Sequence, residues 1–135
     1  MAIKWTNDLS LGIGEIDRQH RELIRQAAAV ENAALENAEI TKDELDAHFE
    51  FLTGYIKFHF GSEEKVMLGY GYPETAAHKK IHDNFSEKLG KLRKNAKLSG
   101  PDAALEILRN GVYGWFIKHI KNTDGALAAF IRKKI

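Results

Sequence analysis

Four long segments of this chain carry apolar residues at steps of three and four, and histidine interrupts every one of those stripes. The spacing follows the 3.6-residue turn of an α-helix, and no useful length shows the two-residue alternation of a strand. From about Glu15 to Asn37, the residues Ile16, His20, Leu23, Ile24, Ala27 and Ala34 share one face. The second segment opens on Thr41-x-x-Glu44, a capping-box pattern. It continues through Leu45, His48, Leu52, Tyr55, Ile56, His59, Glu63, Val66 and Met67. Gly69-Tyr70-Gly71-Tyr72-Pro73 ends it, with Pro73 suited to the first position of a new helix. The third reads His78, His82, Phe85, Leu89 and Leu92. After Ser99-Gly100-Pro101 the fourth reads Leu105, Leu108, Val112, Trp115 and His119, and an amphipathic tail runs from Ala126 to Ile131.

Helices of about 20 residues joined by short turns give an all-α fold, an antiparallel up-and-down four-helix bundle. The expected helices span about 15–38, 41–69, 74–98 and 101–121, with a short C-terminal helix over about 125–134. An N-terminal arm, about 1–14, lies across the outside, and residues 1–135 form a single domain. Lys and Arg number 20 against 19 Asp and Glu, a net charge of +1, which argues against nucleic acid or an anionic membrane as the main partner. No apolar run approaches the roughly 18 residues of a membrane span. The chain has no cysteine, which removes disulfides, thiolate metal sites and cysteine nucleophiles together. Residues Met1 to Asp8 lack the succession of a signal peptide, so the expected location is the cytoplasm.

Five of the six histidines, with Glu63, sit on faces otherwise built from Leu, Ile, Phe and Trp. Burying an unpartnered polar group costs several kcal/mol, so these residues need partners. A lone histidine of this kind bonds to a backbone carbonyl; the set spread over all four helices shares one explanation, a metal site. His59-x-x-x-Glu63 and His78-x-x-x-His82 are i, i+4 pairs, which an α-helix returns to within about 40° of one direction. His119 and Asp124 stand five apart, about 140° on an unbroken helix, so they meet only if the chain turns back near Lys121-Asn122-Thr123. The candidates are then His20, His59, Glu63, His78, His82, His119 and Asp124. Seven side chains exceed one transition metal's roughly four to six positions. Two adjacent metals accommodate them if both carboxylates bridge, and a further bridging oxide leaves one of about twelve octahedral positions open to a small diatomic ligand. Imidazole and carboxylate suit iron, zinc, copper or manganese, and redox-active iron makes best sense of one open position.

The succession Ile16-Asp17-Arg18-Gln19-His20, the run from His59 through Glu63-Glu64 to Met67, and Gly71-Tyr72-Pro73 closely resemble the bacterial hemerythrins. So do His78-x-x-x-His82 and Trp115-Phe116-Ile117-Lys118-His119-Ile120 with Asp124, and the likeness spans Trp5 to Asp124. The resemblance implies two iron ions bridged by Glu63, Asp124 and an oxo or hydroxo group, with dioxygen as the reversible ligand. It implies His78, His82 and His119 on one iron, and His20 and His59 on the other, which keeps the open position. It implies an oxygen carrier, store or delivery protein, monomeric or weakly associating, serving an oxygen-using partner protein. The alternatives are an enzyme reducing peroxide or nitric oxide at the same centre, or an oxygen-sensing module. No Glu-x-x-His occurs in the chain, which separates it from the four-carboxylate di-iron oxygenases and favours a binding protein over an enzyme.

Other polar residues read as structural. His48 lies on the face of His59 but about 16 Å along the helix, at the bundle end. Asp17 reads as an N-cap or a partner for His20, and Glu64, about 100° around from Glu63, as solvent-facing. Trp115 and Phe116 wall the pocket, and Met67 packs. Lys79, Lys80, Lys88, Lys91, Arg93, Lys94 and Lys97 form a solvated face. At Gln26-Ala27-Ala28-Ala29, where the family usually carries bulky residues, small side chains are expected to open a tunnel toward the iron of His20 and His59.

Overall fold

A computed structural model describes residues 4–35 and 40–134. Three long helices, α1 (Gly14–Leu35), α2 (Lys42–Tyr70) and α3 (Thr75–Lys97), are followed by a fourth helical stretch. That stretch comprises α4 (Pro101–Glu106), a π segment (Ile107–Tyr113), α5 (Gly114–His119), a second π segment (Ile120–Asp124) and α6 (Gly125–Lys134). No strand occurs among the described residues, and the architecture is the antiparallel four-helix bundle that the periodicity predicts. The expected end of the first helix at about 38 lies outside the described residues, and the side chain at Ala34, though within α1, is not among those described. No helix among the described residues is long and apolar enough to cross a membrane.

The helix ends follow from local chemistry. Thr41 and Glu44 make the reciprocal capping box: the Thr41 hydroxyl accepts the Glu44 N–H at 3.1 Å, and the Glu44 carboxylate accepts the Thr41 N–H at 3.4 Å. Gly71 closes α2 in the left-handed conformation (φ 64°), where a side chain would be strained. The Gly71 and Tyr72 N–H groups then bond back to the carbonyls of Leu68 and Met67, a Schellman motif in which Tyr72 also packs near Met67. Pro73 does not begin the next helix, as its sequence suggests. The Thr75 N–H bonds to the Tyr72 carbonyl, so Pro73 and Glu74 are the central pair of a turn, and α3 starts at Thr75.

The arm contains one 3-10 turn, Asn7–Leu9, and is held by Asp17. The Asp17 carboxylate accepts from the Leu11 N–H at 2.9 Å, the Gly12 N–H at 3.1 Å and the Ser10 hydroxyl at 3.1 Å. Asp17 therefore fastens the arm and makes no hydrogen bond to His20. The expected lysine face of α3 is exposed as read, with Arg93 reaching across to pair bidentately with Asp46.

The main core, which includes Leu23, Ala27, Phe49, Leu52, Phe85 and Tyr113, fills the interior beside the polar site. Ala27 is 1% exposed within this cluster, Ala28 is half-buried and Ala29 faces solvent. Of two surface grooves of about 440 Å³ among the described residues, neither is lined by these alanines. A larger side chain at 27 has to be accommodated among the buried residues of this cluster. Ala27→Leu is accordingly expected to destabilise the fold by about 1–3 kcal/mol, read as a lower denaturant midpoint at unchanged slope.

Candidate metal centre

Each long helix delivers polar side chains to one level of the bundle. His20 comes from α1, His59 and Glu63 from α2, His78 and His82 from α3, His119 from the end of α5, and Asp124 from the second π segment. All seven are 4% exposed or less. Their ligand atoms fall into two groups, each within 4.8 Å: Glu63, His78, His82, His119 and Asp124 in one, and His20, His59, Glu63 and Asp124 in the other. The two i, i+4 pairs meet because α2 and α3 are regular through both.

His119 and Asp124 meet by a different route from the expected one. The chain does not turn back between them; residues 101–134 continue as one helical path. The backbone instead widens into a π turn, in which the Gly125 N–H bonds to the Ile120 carbonyl five residues earlier. This wider turn brings residues five apart onto one face, and the His119 Nε2 lies 3.1 Å from the Asp124 Oδ1.

The two carboxylates stitch the groups together. Asp124 lies 3.1 Å from the Nε2 atoms of His20, His78 and His119, using Oδ2 for the first and Oδ1 for the others. Glu63 Oε1 lies 3.1 Å from His82 Nε2 and 3.6 Å from His59 Nε2. Despite these approaches, neither oxygen of either carboxylate, nor either nitrogen of His78, has an aligned hydrogen-bond partner. Burial pushes both carboxyls up, but the convergent imidazoles outweigh it and hold each below its ordinary value. Burial drives His59 down to about 4, whereas in His78 the burial is outweighed by Asp124 and Glu63, which raise it to about 9. Two buried anions without hydrogen bonds are costly unless a cation lies among them. Imidazole and carboxylate donors without sulfur are a set that iron, zinc, copper and manganese accept.

Two outer residues orient this set, and neither is assigned that role by the sequence. The Nδ1–H of His59 donates to Gln19 Oε1 at 2.7 Å, and Gln19 is itself fixed by donating to the Ser62 hydroxyl at 3.1 Å. His82 Nδ1 bonds to Glu64 Oε2 at 3.0 Å, so Glu64 turns inward to a histidine rather than facing only solvent as expected. Each bond places the proton on Nδ1 and leaves the Nε2 lone pair aimed at the centre. The signal for Glu64 is weak in sequence, because its direction depends on how far α3 lies around α2.

Residues 11–131 match the hemerythrin HHE cation binding domain. The chain belongs to the hemerythrin family. Its hemerythrin relatives include the bacteriohemerythrin of Stenotrophomonas maltophilia, 32% identical over 124 residues, which cover 92% of this chain and 78% of the relative. The bacteriohemerythrin of Pseudomonas aeruginosa is 32% identical over 130 residues, 95% of this chain and 80% of that one. The myohemerythrin of Theromyzon tessulatum is 24% identical over 121 residues, 90% and 87% of the two chains.

Around this hemerythrin centre the histidine rings are held by aromatic faces. Phe60 stacks on His82 at 3.8 Å between centroids, Trp115 on His119 at 4.4 Å, and Phe85 on Trp115 at 3.8 Å. Trp115 and Phe116 thus wall the site as read from the sequence, and Met67 is fully buried packing. His48 stays out of the hemerythrin centre: its Nε2 pairs with the Tyr113 hydroxyl, and burial holds it below its ordinary value.

Proposed function

We propose that these seven residues hold two iron ions bridged by Glu63, Asp124 and an oxo or hydroxo group, and that the protein binds dioxygen reversibly as a cytoplasmic carrier, store or delivery protein. The observation that carries the reading is that the two ligand groups share both carboxylates and nothing else. His78, His82 and His119 then complete one half, while His20 and His59 leave the other half one imidazole short. That missing donor is the place for dioxygen. Bound iron supplies the electrons that dioxygen takes up on binding and returns on release.

The chain's own residues favour binding over turnover. Gln19 and Glu64 fix the tautomers of His59 and His82, so the donors are set before a metal arrives. Phe60 and Phe116, with ring centroids 5.9 and 6.1 Å from His59, keep water away from the half with the missing donor. Those walls offer no acid or base to cleave an O–O bond. The test is to load the protein with ferrous iron without oxygen and follow its visible spectrum through cycles of oxygen and vacuum. A band that appears with oxygen and vanishes under vacuum over several cycles, with about two irons per chain, is the expected result. Steady oxygen consumption with a reductant would instead make it an enzyme of peroxide or nitric oxide, and failure to take up iron would overturn both readings.

A further inference from the structure

The two halves of the centre are backed by residues of different charge. His59 donates its outer proton to the neutral amide of Gln19, while His82 donates its own to the carboxylate of Glu64. His20 Nδ1 and His78 Nδ1 have no hydrogen-bond partner at all. Glu64 differs from Gln19 in its surroundings as well. Gln19 is 5% exposed and tied at both ends. The Glu64 side chain is 24% exposed, at the edge of a groove of about 440 Å³ between α2 and α3 whose floor includes Phe60 and His82. Solvent reaches the Glu64 carboxylate from that groove, and its other side meets an imidazole that is itself 1% exposed.

An anionic acceptor on Nδ1–H draws the proton outward and pushes electron density toward Nε2, making the imidazole a stronger donor than an amide acceptor does. We propose that Glu64 is a charged positioning residue that makes the half of the centre built on His78, His82 and His119 the tighter and more electron-rich one. This inference rests on the two-metal reading above. Its consequence is an order of events: the first ion enters the half backed by Glu64, and the half backed by Gln19 fills second and keeps the weaker donors. Ligand number points the same way, since the first half has three imidazoles and the second two. What Glu64 adds is charge, and charge can be removed without removing the hydrogen bond.

The test uses the full chain as wild type, Glu64→Gln, Glu64→Ala and Gln19→Ala. Stepwise binding of Co²⁺ alone is measured by competition with a chelator, and the reduction potential is measured on the iron-loaded protein. Glu64→Gln keeps an oxygen that can accept from His82 but loses the charge. It is expected to weaken the first binding step about 10–100-fold, leave the second nearly unchanged, and raise the potential. Gln19→Ala is expected to weaken the second step instead. If Glu64→Gln behaves as wild type and only Glu64→Ala is impaired, the residue acts through shape alone and the proposal is overturned. Equal weakening of both steps overturns it too, because the effect would not belong to one half. Wild-type protein that takes up no metal would overturn the two-metal reading itself, a result separable from these because it precedes any variant. Circular dichroism of the metal-free variants checks that each folds as wild type does.

Discussion

Asp124→Ala is expected to weaken both metal-binding steps, whereas His20→Ala weakens one. Asp124 is a member of both ligand groups and touches three imidazoles at 3.1 Å, one in the half with His59 and two in the other. His20 belongs to one group only. Removing a direct donor costs more than the roughly 10–100-fold typical of an outer partner, so the contrast is large. After loading with metal and desalting, His20→Ala should retain about one ion per chain and Asp124→Ala should retain fewer. His20→Ala losing both ions, or Asp124→Ala keeping both, would mean that the carboxylate does not join the two halves. Circular dichroism of the metal-free variants separates loss of the fold from loss of an ion.

The same residue marks where the sequence stops being legible. The apolar stripes, the capping box at Thr41 and the glycine stop at Gly71 are local, and each is written in a few adjacent residues. The pairs His59 with Glu63 and His78 with His82 are legible because α-helical geometry alone puts i and i+4 together. Asp124 follows His119 by five, and regular geometry separates them; the backbone answers with a π turn where a chain reversal was expected. Nothing in Ile120-Lys121-Asn122-Thr123 distinguishes the wider turn from a break, since the choice depends on what the rest of the bundle holds in place. Glu64 and Gln19 were hidden for a related reason. Their partners are on neighbouring helices, so their roles follow from how α1 and α3 lie against α2 rather than from spacing along the chain. Pro73 shows a smaller version: its ring fits a helix start and a turn equally well, and the Tyr72 carbonyl decides for the turn.

Glu63→Gln should lower stability far more when metal is bound than when it is absent. Metal-free, the centre holds two ionised, fully buried carboxylates whose oxygens accept no hydrogen bond. Glu63→Gln removes a charge that the convergent imidazoles favour, so it is expected to lower the melting temperature of the metal-free protein modestly at neutral pH. With metal present the loss is larger. Free metal a thousandfold above its dissociation constant stabilises the wild-type fold by about 4 kcal/mol per site, on the order of 20 °C or more for two sites in a domain this size. Glu63 serves both sites, so Glu63→Gln loses most of that gain. Thermal unfolding with and without a chelator therefore separates the variant from wild type far more with metal than without it. Acidity acts on the loaded state with a defined sign. His78 is raised to about 9 in the metal-free protein and carries a proton at neutral pH that a metal must displace. Binding releases that proton, so affinity rises with pH up to about 9 and falls roughly tenfold per unit below it on account of this group alone. An equal deficit in both states would show that Glu63 is retained for packing; a deficit that grows on loading shows that it is retained for the ions it joins.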